Sequence, residues 1–151
     1  MGVDTHFIVR NASELADCRN CLCLASRKAA RKITAFYDRR LRSHGVRVTQ
    51  FTILAMLMLR GATPVTVLAK SLGMDRTTLT RNVALLEARG WARIDADDAD
   101  ARSHVISVTG AGEKVVQAAL PAWREAQAKV AEAFGPTGMD ALHRLARTEI
   151  P

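Results

Sequence analysis

Apolar positions recur every three or four residues along most of the chain, and breaks in that rhythm divide it into elements. Leu15, Cys18, Leu22, Ala25, Ala29, Ile33 and Phe36 form one stripe. They predict a long first helix, capped by Ser13 and ending near Ser43-His44-Gly45. Residues 1–12 lack a clear period and are read as an arm. A second helix opens at Val48 or Thr49. Phe51, Ile53, Leu54, Leu57, Met58 and Leu59 make it apolar on most sides, which predicts a core element. Arg60-Gly61-Ala62-Thr63-Pro64 stops it. Val65 is expected as a strand of one or two residues, and Thr66 as the cap of a short helix from Val67 to Leu72 that Gly73 ends.

Met74 to Gly90 then reads as an amphipathic helix. Asp75 is placed to cap its first turn and Gly90 to end it. Leu79, Val83 and Leu86 form its buried stripe, while Arg76, Thr77, Thr80 and Arg81 share the other side without a carboxylate. Those groups donate to phosphates and base edges. Beyond Gly90 the period shifts. Trp91 to Asp95 and Ser103 to Val108 predict two short strands around a polar loop from Ala96 to Arg102, a hairpin directly after the amphipathic helix. Thr109-Gly110 opens a second long helix with Val116, Leu120, Trp123, Gln127, Val130 and Phe134 near heptad spacing. Pro121 is expected to bend it or remove one backbone bond, and Gly135-Pro136 to end it. A last short helix runs from Thr137 or Gly138 through Met139, Leu142 and Leu145.

The elements assemble into a mainly α fold with a small β-wing: a winged helix-turn-helix flanked by long N- and C-terminal dimerisation helices. The predicted segments are 1–47 for the N-terminal dimerisation helix, 48–109 for the DNA-binding domain and 110–151 for the C-terminal dimerisation helices. The terminal stripes are longer than one small domain covers, so they ask for a second chain. Two copies paired there would present two recognition helices to half-sites about one helical turn (~34 Å) apart.

Composition strengthens the nucleic-acid reading. The formal net charge is +7 and the isoelectric point about 10.0. Arginine dominates the cations, which suits bidentate contact with phosphate and guanine. With 48% apolar residues among 151, one domain with a real core is expected. No stretch reads as a signal peptide or a bilayer-spanning run, and the three cysteines are too closely spaced for a disulfide framework. A cytoplasmic protein with reduced thiols is expected. There is no glycine-rich phosphate loop and no histidine placed with a cysteine in a nucleophile motif, so catalysis is not expected, nor any cofactor or structural metal. A helical protein-interaction module that does not bind DNA is the remaining rival.

The chain resembles the MarR family of bacterial transcription regulators over about residues 20–135. The carrying residues are Tyr37-Asp38, Val48-Thr49-Gln50-Phe51, the run from Leu68 to Arg81, Leu86-Glu87-Ala88-Arg89-Gly90-Trp91, and the wing from Asp97 to Ser103. Thr109-Gly110-Ala111-Gly112 stands where the family usually has Leu-Thr-x-x-Gly. The resemblance implies a homodimer on double-stranded DNA at a palindromic operator, usually a repressor, released by a small organic ligand or by thiol oxidation. It carries DNA contact onto Thr77, Thr78, Thr80 and Arg81, to which charge adds Arg76. It carries minor-groove entry onto Arg102, with Asp100 as the acidic residue beside it. Where the family often shows paired arginines in the wing, Arg102 stands between Ala101 and Ser103.

For the signal, two groups of residues are candidates. Cys18 and Cys21 are expected as i,i+3 neighbours on the first helix, with Cys23 turned away. Simple packing, thiol sensing and metal binding between two chains all fit that pattern. Tyr37 and His44 are expected either in the core or along a ligand pocket.

Overall fold

The computed structural model describes residues 15–97 and 100–149, with the backbone alone at 97 and 100–103. Ser13 and the N-terminal arm lie outside the described residues, as do wing positions 98 and 99. The chain divides into two compact units, Met1–Thr34 and Ala35–Pro151.

The first unit departs from the expected single helix. Ala16–Asn20 is a 3-10 turn, and helix α1 begins only at Leu22, running to Leu41. Cys21 separates them with φ −59° and ψ 116°. Its carbonyl then accepts the first helical bond, from Ala25 N. An apolar stripe at steps of three and four is shared by 3-10 and α geometry, so the periodicity did not show the break.

The second unit holds the core. Helix α2 is Val48–Arg60, helix α3 Val65–Ser71, helix α4 Arg76–Ala88 and helix α5 Gly110–Arg147. Strands β1 (Thr63–Pro64), β2 (Ala92–Asp97) and β3 (Asp100–Val108) form an antiparallel sheet in the order β1-β3-β2. Ile106 is its centre, opposite Thr63 on one side and Ile94 on the other. Leu41, Ile53, Leu54, Leu57, Leu68, Leu79, Val83, Leu86 and Ile106 are fully buried together. Each such side chain contributes about 1.5–3 kcal/mol by leaving water. The stripe predicted for α4 is therefore the one that seats it.

Boundaries move where proline or hydrogen-bonded ladders decide. The short strand is Thr63–Pro64, not Val65, and Pro64 with φ −57° is the N-cap of α3. Proline's fixed φ lets the helix begin immediately behind it, so Thr66 lies inside α3 rather than capping it. Both wing strands run further than expected, with a bulge at Ala96/Asp97. The α5 segment keeps helical backbone through Pro121 and breaks at Gly135, where φ is 66° and ψ 169°. The lost bond falls on an exposed face, where water can serve the orphaned carbonyl.

The long end of α1 and α5 are tied within this unit. The Tyr37 hydroxyl donates to Gln127 Oε1, and Arg40 pairs with Glu125 at 2.7 Å. Asp38 Oδ1 accepts from the first amide of α2, Val48 N, at 2.8 Å. Phe51 stacks on Trp123 with ring centroids 5.8 Å apart.

Candidate nucleic-acid interface

Helix α4 is fixed at both ends by its own sequence. At its start Asp75 accepts from Thr78 N at 2.7 Å and from the Thr78 hydroxyl at 2.6 Å. The hydroxyl, first, and the amide hold the Asp75 carboxyl below its ordinary range, so it stays charged at the positive end of the helix dipole. At its end Trp91 N donates to Leu86 O (2.9 Å) and Gly90 N to Glu87 O (2.8 Å). That pair of bonds is a Schellman closure, and it sends the chain straight into β2. The turn before α4 closes the same way, Met74 N reaching Ala69 O at 2.9 Å. Helices α3 and α4 are thereby joined by four residues, Leu72 to Asp75, in a tight helix-turn-helix.

The buried stripe leaves one face of α4 outward. Arg76, Thr77, Thr80 and Arg81 are exposed and line one shallow groove with Ala84. Four of the residues singled out from sequence are brought together there. Ala84, which sequence reasoning missed, gives the groove a small apolar floor one turn beyond Thr80. Thr78 is turned aside into the cap, a role its spacing of three from Asp75 already encoded. Thr80 donates its proton to Arg76 O at 2.8 Å. Its oxygen is therefore left as an acceptor and its methyl as an apolar contact. Arg76 and Arg81 supply charge-assisted donors.

The wing is placed by β3, which runs between β1 and β2. Asp100 and Arg102 belong to β3 by backbone, and their side chains lie outside the described ones. At the wing's base Thr109 Oγ1 donates to Gly90 O at 2.6 Å and accepts from Gly112 N at 3.2 Å. One threonine thus connects the end of α4, the wing and the start of α5.

The remaining candidates lie elsewhere. Cys18 is in the 3-10 turn, Cys21 is the break and Cys23 is in α1; all three are free and exposed. Cys18 and Cys21 therefore do not share a continuous α-helix. Among the described residues no group of three metal-ligating side chains comes together. Tyr37 is only 7% exposed, and burial raises its phenol above the ordinary value. His44 sits half-buried in the 3-10 turn Arg42–His44 that follows α1. A separate apolar cleft of about 390 Å³ opens between α2 and α5, walled by Phe51, Met56, Leu59, Val116, Leu120 and Trp123. Among the described residues no helix is long and apolar enough to cross a membrane.

A family model described as MarR family matches residues 44–103. The M. tuberculosis transcriptional regulator MosR, solved in complex with DNA, is 38% identical with a TM-score of 0.76, over 83% of this chain and 92% of that one. A probable transcriptional regulator from Pseudomonas aeruginosa is 25% identical with a TM-score of 0.74, over 85% and 96%. A cysteine-to-serine mutant of E. coli MarR complexed with operator DNA gives a TM-score of 0.77 over 89% and 97%, at 17% identity a likeness of fold. Comparison with curated protein sequences gives no match. A helix-turn-helix built around a capped, outward-facing α4, a wing behind it, and this similarity to MosR over most of both chains lead to one conclusion: the chain belongs to the MarR family of DNA-binding transcription regulators.

Proposed function

We propose that the protein is a homodimeric repressor that reads a palindromic operator with α4 and brackets it with the wing. The observation that carries this is the single exposed groove shared by Arg76, Thr77, Thr80 and Arg81. Arg76 and Arg81 donate to phosphates or guanine edges. Thr80 accepts from an exocyclic amine or packs its methyl on thymine. Arg102, with Asp100 beside it, enters the flanking minor groove, where a narrow groove concentrates negative potential. Thr78 serves the reading indirectly, by holding the first turn of α4 through Asp75.

Release from DNA is assigned to a small organic ligand in the apolar cleft between α2 and α5, whose walls are almost wholly carbon. Oxidation of the exposed thiols Cys18, Cys21 and Cys23 is the second release route, supported by their accessibility. Tyr37 acts as a structural tie rather than a ligand contact, because its hydroxyl is committed to Gln127.

The test is selection of duplexes from a random library by the full-length protein, followed by gel shift. A palindromic site is expected. Arg81→Ala and Arg102→Ala should each weaken binding by about 1–3 kcal/mol, roughly tenfold or more, while the oligomeric state is kept. Unchanged binding by both variants, or no enrichment at low salt, sinks the assignment.

A further inference from the structure

A second cleft, of about 370 Å³, lies where α1 ends and α2 begins. Its walls are Arg42, Arg47 and Arg89 with Asp38 and Gln50, closed by the loop backbone at Gly45. Among the described residues none of these three guanidinium groups pairs with a carboxylate. Asp38 is the only acid among the described residues of the lining, and its Oδ1 is occupied by the amide of Val48. Three cations against one anion leave two uncompensated positive charges around one small space. Gln50 adds a neutral donor. It is 6% exposed, and its Oε1 accepts from Arg47 N at 3.1 Å. Its carboxamide NH2 donates to no group among the described residues, although Gln50 lines the cleft.

Guanidinium groups lining one cleft repel one another unless something negative enters it, and their planar forks match carboxylate and phosphate oxygens. We infer that this cleft binds a compact oxyanion of charge near −2, a phosphate or a small polycarboxylate. An aryl acid is a poor fit, because Val46 is the only large apolar residue in the lining. The site is separate in residues from the apolar cleft between α2 and α5.

Occupancy reaches α4 through Arg89. This residue is the C-cap of α4, its Nη1 donates to Gly45 O at 2.6 Å, and its guanidinium lies 4.8 Å over the Trp91 ring. An oxyanion that recruits Arg89 competes with the carbonyl that ties the end of α4 to the loop. This coupling rests on the reading of α4 proposed above; the binding of the anion does not.

The experiment is calorimetric titration of the DNA-free, full-length protein with inorganic phosphate and, separately, with citrate, in low-chloride buffer. The expected result is saturable binding of one or both probes, weakened about tenfold or more by Arg42→Gln and by Arg47→Gln, each melting like the parent. The two probes separate phosphate from polycarboxylate chemistry. Heats that never saturate, or equal binding by parent and both variants, overturn the site. So does a third result, in which neither probe binds and both variants lose duplex affinity, since the arginines would then be holding DNA phosphates. Because the titration contains no DNA, its failure is distinguishable from failure of the operator reading.

Discussion

At the scale of single residues, the hairpin and the helices meet at a point with no room for a side chain. Gly112, in the first turn of α5, is buried against the carbonyl of Trp91. A Cβ there would stand 2.1 Å from that oxygen and 2.9 Å from Val108 Cγ2. The oxygen cannot retreat freely, because it accepts from Thr109 N at 3.0 Å. Gly112→Ala therefore has to move backbone at the base of the wing. The expected cost is about 1–3 kcal/mol, the range for an overpacked core, read as a lowered melting temperature in thermal denaturation. Unchanged melting would mean that α5 can shift away from the wing without loss. The neighbouring cap illustrates the opposite situation. Asp75 is fully solvated, and its effect comes from two short bonds to Thr78 rather than from burial.

Elements show why some of this was legible in sequence and some was not. The stripe Leu79, Val83, Leu86 placed α4, and Asp75 and Gly90 its ends, because apolar period and cap chemistry are local. The face carrying Arg76, Thr77, Thr80 and Arg81 followed from that stripe by subtraction. The family resemblance carries DNA contact onto Thr78 as well, and in the structure its hydroxyl donates to the Asp75 cap. The break at Cys21 and the helix start at Val65 were missed, since each depends on one residue's ψ or on a proline cap that the period does not register. Pairings across long sequence separations were invisible: Asp38 capping α2, Arg89 reaching Gly45, and the tie from Tyr37 to Gln127.

That last tie makes a testable element. Tyr37 is the only tyrosine, so phenolate absorbance reports it alone. Burial raises its pKa above the ordinary 10.0, meaning that the folded state prefers the neutral phenol. A raised folded value gives stability that is complete below the unfolded pKa and is lost as pH climbs through the folded one. The parent should therefore show a phenol titrating later than free tyrosine, with melting temperature falling across that alkaline window. Tyr37→Phe should remove that tyrosine-dependent part of the fall and cost about 0.5–1.5 kcal/mol at neutral pH from the lost hydrogen bond. A phenol that titrates at the ordinary value would show that α1 and α5 are not held by this contact.

For the whole molecule, the question is what covers the apolar side chains that one chain leaves in water. Leu22 in α1 is 84% exposed, and Leu145 near the end of α5 is 54% exposed, with Phe134 and Leu142 also uncovered. Scattered exposed leucines need no explanation. These lie on the two terminal helices; the winged domain between them builds its own core but also leaves Met58, Leu59, Val67 and Leu85 exposed on α2, α3 and α4. The proposed homodimer puts those on the terminal helices to use: two copies joined by their end helices set two α4 faces at a fixed separation. A substitution separates this from a monomer with a greasy surface. If Leu145 faces only water, Leu145→Glu belongs with ordinary surface changes, within about 0.5 kcal/mol, and melting is independent of protein concentration. If it is buried between two chains, the same change places an unpaired carboxylate in an apolar interface. Sedimentation should then show dissociation, parent melting should rise with concentration because association stabilises the fold by mass action, and duplex affinity should fall although residue 145 lies far along the sequence from α4. A variant that sediments, melts and binds DNA like the parent would remove Leu145 from any interface and leave the pairing to be carried by other residues.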